Sequence, residues 1–219
     1  MVGKRGLLVD FGGVMTTSMG RAFAEFCVQH GVDAERFKVV IKEAYGSGGS
    51  DGMVGRLERG EVELEEFERW MAEKLSEGLE SPLDAPGIRD RMFAGMGPDQ
   101  EMMAAVRRAH AVGIRTGLVS NSWGPSGFNA EEFGDLFDAV VISGEVGMRK
   151  PDPEIFRHAA RSISLEPKDC VFVDDLAPNV DGAKAVGIEG IVHRSAEFTI
   201  PRLEQLLGVS LTDTQGSGG

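Results

Sequence analysis

The run Val171-Phe-Val-Asp174-Asp175 closes an apolar stretch on two adjacent carboxylates, and Gly6-Leu-Leu-Val-Asp10-Phe-Gly-Gly13 repeats the arrangement near the other end of the chain. A buried strand that delivers an acidic side chain at its C-terminal tip is costly, because crowded carboxylates repel one another and lose solvent. A divalent cation relieves that cost. Three carboxylates beside glycine-rich backbone suit a hard, oxygen-seeking ion such as Mg2+. Taken singly, each Asp is more simply read as the cap of a following helix. The two sites together, with what lies between them, favour a shared metal.

Working outward, short apolar runs alternate with longer helical patterns, the rhythm of a parallel α/β sheet. Strands are expected over 6–9, 114–119, 139–142, 171–173 and 190–193, and helices over 100–111, 153–162, 178–186 and 201–207. Each strand run is nearly continuous in Val, Ile, Leu or Phe, as burial on both faces demands. In such sheets ligands bind beyond the carboxyl ends of the strands.

Residues 18–94 break the rhythm, with helical patterns over 20–29, 34–44 and 64–77, a flexible glycine-rich stretch over 46–52, and no convincing strand. An all-helical insert after the first strand reads as a cap over the site; as two crossover helices of an ordinary doubly wound sheet it is long. The expected fold is therefore α/β: a three-layer, Rossmann-like parallel sheet core built from 1–17 and 95–211, with an inserted all-helical cap over 18–94. The small, polar residues 212–219 read as a disordered tail.

With 219 residues and 42% hydrophobic content, the chain can bury a full core. A formal net charge of −12 argues against nucleic acid or an anionic membrane surface as partner. It does not argue against a small phosphorylated metabolite, since a metal and a local cluster of donors override the global field. Cys27 and Cys170 are too few for a disulfide framework, and Cys170 reads as a core thiol. No signal peptide or membrane-length apolar stretch is apparent, so a cytoplasmic location is expected. The apolar helices of the insert are open to two uses, packing on the core or pairing in a homodimer.

Four motifs fall at strand ends. Asp10 is followed by Gly12 and Gly13, whose backbone amides can hold an oxyanion, and its carboxylate can attack phosphorus. Ser120 and Asn121 close an apolar run and offer donors to phosphoryl oxygens, although Ser and Asn equally cap helices. Lys150, in Gly147-Met-Arg-Lys-Pro-Asp-Pro153, can neutralise charge between nucleophile and phosphate. Arg149 beside it reads as a surface charge. Asp175 reads as a direct metal ligand, Asp174 as a second ligand or its support, and Asn179 as orienting the pair or capping the next helix. Trp123 reads as a residue of the substrate entrance.

The order strand–Asp, strand–Ser/Asn, Lys-Pro, strand–Asp-Asp resembles the haloacid dehalogenase superfamily over residues 7–193. The likeness implies Asp10 as nucleophile, Ser120 as the phosphate-binding hydroxyl, Lys150 as the charge-neutralising lysine and Asp174-Asp175 as the magnesium acids. The helical insert matches the family's first class of cap. Within the superfamily, the closer resemblance is to the phosphatase-like N-terminal domains of soluble epoxide hydrolases and to related domains fused to acyl-CoA dehydrogenases. It rests on Arg56-Leu-Glu-Arg-Gly-Glu-Val-Glu-Leu-Glu-Glu-Phe67, Ser120-Asn-Ser-Trp123, Gly147-Met-Arg-Lys-Pro-Asp-Pro-Glu-Ile-Phe156 and Val171-Phe-Val-Asp-Asp-Leu176.

One position departs from that pattern. Phosphatases of the family carry a second Asp two residues after the nucleophile as general acid and base; here it is Gly12. Its carbonyl can still ligate Mg2+, but proton transfer of the kind worth roughly 10²–10⁴ in rate is lost. His30, Glu43, Tyr45 and Asp51 are available as substitutes, and Thr16 or Thr17 to position water. The expectation is an Mg2+-dependent phosphatase of a small organic phosphomonoester. Carbon–halogen or phosphonate cleavage (the latter drawing on Lys38, Lys42 or Lys74) and a catalytically weak module that binds a phosphate ligand or a partner are the alternatives.

Overall fold

The computed structural model describes residues 3–46, 51–123 and 136–212. Its centre is a five-stranded parallel sheet in the order β3-β2-β1-β4-β5. The strands are β1 (Gly6–Val9), β2 (Arg115–Ser120), β3 (Ala139–Ile142), β4 (Cys170–Asp174) and β5 (Glu189–Val192). Each lies within one residue of its expected place. β1 is the middle strand, with Val9 in register with Leu118 on one side and Val173 on the other. Asp10 continues that ladder by one bond, donating its backbone N–H to the Val173 carbonyl at 2.9 Å.

The near-continuous apolar strands serve two cores. Leu7, Val9, Leu118, Val171 and Val173 face one way, onto Met102 and Val106 of α6 (Gln100–Ala111) and Leu203 and Leu207 of α10 (Ala196–Leu207). Leu8, Val119 and Phe172 face the other way, onto Ile155, Phe156 and Ala159 of α8 (Pro153–Ser162) and Ala183 of α9 (Ala177–Ala185). Successive strand residues thus alternate between the two helix layers, and a polar residue on either face would be buried without water.

Residues 18–94 contain α1 (Met19–His30), α2 (Ala34–Tyr45), α3 (Met53–Glu58), α4 (Leu64–Ser76) and α5 (Ile88–Phe93). They bury a core of their own, including Phe26, Phe37, Val40, Val54, Leu57, Phe67, Met71 and Met92. Two of these helices, with α7 (Ser143–Val146), were not foreseen. α3, α5 and α7 are six residues or fewer, too short for a helical period to show. A further difference is that α10 begins at Ala196, five residues before the proline taken to start it. The Ser195 hydroxyl accepts the Phe198 N–H at 3.3 Å as an N-cap, and the buried face of Ala196, Thr199, Ile200 and Leu203 carries the helix through Pro201. Residues 47–50 of the glycine-rich stretch and 213–219 of the polar tail lie outside the described residues.

Candidate active site

Parallel register brings the tips of β1, β2 and β4 to one edge. There the Lys150 ammonium, 1% exposed, donates to Asp10 Oδ1 at 2.6 Å and to Asp174 Oδ2 at 2.7 Å. Asp10 and Asp174 are 164 residues apart in the chain and are held by neighbouring strands. Asp174 is fully buried. Its Oδ1 accepts the Leu176 N–H at 2.8 Å, and Asn179 Nδ2 donates to both its oxygens at 3.0 and 3.1 Å. Asn179 therefore holds the first acid of the expected pair, Asp174, and among the described residues makes no hydrogen bond with Asp175.

Asp10, Asp174 and Asp175 offer carboxylate oxygens that all lie within 4.8 Å of one another. Asp175 Oδ1 is buried without a hydrogen-bond partner. Such an atom is expensive unless something outside the chain meets it. The donor set is all oxygen and anionic, which fits Mg2+. Gly13 keeps the space open: its φ is +78°, and a Cβ on it would stand 2.6 Å from Asp175 Oδ2. The Gly13 N–H, expected to face an oxyanion, is donated to Thr16 Oγ1 at 3.0 Å, closing the turn after β1. At Gly12 a Cβ would meet the Met19 side chain, Sδ at 3.4 Å and Cγ at 3.8 Å, both ordinary contacts.

Burial drives the titration of this cluster. It pushes the Asp10 carboxyl from 3.8 up to about 7, against the pull of Lys150 and with the push of Asp174. Burial, then the charge of Asp174, raises Asp175 as well. Burial alone would lower Lys150, but its two carboxylate partners hold it above the ordinary lysine value, so it stays an ammonium.

Ser120 ends β2, in register with Ile142. The Asn121 carboxamide, expected to face phosphate, clasps the Lys150 peptide: Oδ1 accepts the Lys150 N–H at 2.9 Å and Nδ2 donates to the Lys150 carbonyl at 3.0 Å. Arg149 overturns its reading as a surface charge. It is 5% exposed and donates through Nε and Nη2 to Glu58 Oε2, at 2.8 and 2.7 Å. Glu58, the last residue of α3, was missed; a Glu inside a highly charged segment carries no local mark of burial. Its Oε1 accepts the Trp123 indole N–H at 3.2 Å and its Oε2 the Asn121 amide at 3.3 Å. Trp123 packs on the helical insert, its ring centroid 5.3 Å from Phe93 and 5.5 Å from Phe67.

Among the residues that could substitute for the acid missing at position 12, Tyr45 packs against Trp123 of this site. Its ring lies 6.1 Å from Trp123, and burial, then Glu58, pushes its hydroxyl well above the ordinary value. His30 packs at a tilt against Phe26 with centroids 4.6 Å apart, and Glu43 pairs with Lys74.

The haloacid dehalogenase-like hydrolase family matches residues 4–187. Bifunctional epoxide hydrolase 2 of Sus scrofa is 28% identical over 229 aligned residues, which cover 96% of this chain and 40% of that protein. The chain thus spans well under half the length of that relative. A sesquiterpene phosphatase of Aspergillus oryzae is 30% identical over 156 residues, 70% of this chain and 78% of the relative. A HAD-family enzyme of Bacteroides thetaiotaomicron, solved in complex with magnesium and inorganic phosphate, superposes with a TM-score of 0.61. The match covers 88% of this chain and 96% of that one at 21% identity, and shows a shared fold.

Proposed function

The chain belongs to the haloacid dehalogenase-like hydrolases, and on that footing we propose that it is an Mg2+-dependent phosphatase of a small organic phosphomonoester. One observation carries the reading. A buried lysine bridges two carboxylates at adjacent strand tips, while a third carboxylate beside them has a buried oxygen with nothing to bind. The relatives named as phosphatases support phosphorus as the atom attacked.

In this reading Asp10 is the nucleophile. The oxygen that Lys150 does not hold forms a bond to phosphorus as the bond from phosphorus to the leaving oxygen breaks, giving an aspartyl-phosphate and an alkoxide that takes a proton from solvent. Water then attacks the same phosphorus, releasing inorganic phosphate and restoring the carboxylate. Lys150 holds the other Asp10 oxygen and keeps that carboxylate turned to the substrate. Ser120 offers a hydroxyl to the phosphoryl oxygens. Asp10, Asp175 and the Gly12 carbonyl would hold Mg2+, with Asp174 as their support because both its oxygens are already engaged. When bound, the ion offsets repulsion between an attacking carboxylate and an anionic phosphoryl group. The helical insert is the cap that covers this edge.

The location proposed is cytoplasmic: both cysteines are free and buried, and no helix among the described residues is long and apolar enough to cross a membrane. The test is phosphate release from p-nitrophenyl phosphate and a panel of phosphorylated metabolites, with Mg2+ and with EDTA. Turnover is expected only with metal, and Asp10→Asn should lose it. Halide release from haloacids without metal would replace this reading with carbon–halogen cleavage.

A further inference from the structure

Glu58 is a charged side chain with 2% exposure, carried by the helical insert rather than by the sheet that bears the acids. Burying such a group is unfavourable unless each oxygen is met by a donor. Here Oε1 is met by Trp123, and Oε2 by Arg149 and Asn121. Those partners all lie at the loops that follow β2 and precede Pro151. Asn121 in turn grips the Lys150 peptide from both sides, and Arg149 is its neighbour in the chain. Lys150 then reaches Asp10 and Asp174. Hydrogen bonds therefore lead from α3 to the Lys150 main chain, and the Lys150 side chain carries the connection on to Asp10.

We propose that Glu58 is a positioning residue: it fixes Asn121 and Arg149 so that the Lys150 main chain presents its ammonium midway between Asp10 and Asp174. This rests on the phosphatase reading only for its kinetic consequence. The mechanical claim concerns the Lys150 peptide alone. Lysine is a long, flexible side chain, and placing its ammonium between two carboxylates within hydrogen-bond distance needs a fixed backbone origin. A displacement of about 1 Å at such a group can cost 10²-fold in rate.

The test uses Glu58→Gln and the double variant Glu58→Ala/Arg149→Ala. The double variant removes both charges and leaves neither buried alone. Exchange of the Lys150 amide hydrogen, held by Asn121, is followed by NMR beside the amides of β4. In the same proteins kcat and KM are measured on p-nitrophenyl phosphate, in wild-type and Lys150→Ala backgrounds. In both variants Lys150 exchange should quicken by roughly tenfold or more while β4 stays protected. Values of kcat should fall by about 10²-fold with KM within about twofold, and in the Lys150→Ala background there should be no further loss. Wild-type exchange at Lys150 in the double variant overturns the proposal, as does an unchanged kcat or a loss that persists in full without Lys150. If the wild type turns over no phosphomonoester, the phosphatase reading falls, and the exchange data alone then decide the positioning role.

Discussion

Lys150 shows how one residue can be made necessary by its neighbours. An ammonium this deeply buried is stable only because two carboxylates meet it, and they are crowded only because parallel strands end together. Burial at those tips raises Asp10 to about 7 from 3.8, against the pull of Lys150 and with the push of Asp174. Between those values the folded protein keeps a proton that the unfolded chain has shed, so this group's contribution to stability falls as pH rises and recovers as pH is lowered. Metal-free wild type should therefore gain on the order of 1 kcal/mol relative to Asp10→Asn between pH 8 and pH 6, measured as the difference in urea unfolding free energies. Gly12 and Gly13 invite opposite outcomes. The space beside Gly12 admits a side chain, so Gly12→Asp should raise turnover of alkyl phosphates, by up to about 10²-fold, if proton transfer to the leaving oxygen is what the site lacks. Gly13→Ala should leave the fold intact and weaken Mg2+ binding by at least about tenfold, read by titration calorimetry, because its Cβ would press on Asp175. The acids and Lys150 were legible because each ends an apolar run or sits beside Pro in a motif. Arg149 was not, since a basic residue in a Gly-Met-Arg-Lys-Pro loop looks solvated. Its partner lies 91 residues away, on a helix of six residues.

At the scale of elements, strands were easier to place than short helices, for a physical reason. A strand buried on both faces must be apolar throughout, so four residues suffice to reveal it. A helix shows itself through a period of 3.6 residues and needs about two turns. That is why α6 and α8 were placed at their observed limits and α3, α5 and α7 went unseen. α10 teaches a different lesson: a proline marks a helix start only when nothing stronger lies upstream, and here the Ser195 cap does. Pro201 is exposed on an otherwise amphipathic helix. Replacing it with Ala restores a main-chain donor and removes the ring's crowding of the preceding turn. Pro201→Ala should raise the unfolding free energy by up to about 3 kcal/mol, seen as a higher thermal midpoint with unchanged turnover.

For the whole molecule, a sheet with two apolar layers and a helical insert with its own core are joined where Glu58 and Trp123 meet the tips of the strands. A cation that binds the folded acids and ignores the unfolded chain stabilises the protein by mass action, by about 2.7 kcal/mol at a hundredfold excess over its dissociation constant. Mg2+ should therefore lift the thermal midpoint of the wild type and not that of Asp175→Asn. The middle strand, β1, carries one acid, and its neighbour β4 carries the others from the far part of the sequence. During synthesis on the ribosome the first acid emerges long before the last two, and the lysine that joins them comes late as well. No nascent fragment ending before residue 174 owns the complete site. Any chemistry that needs all three acids must wait until the chain through Asp175 has left the tunnel.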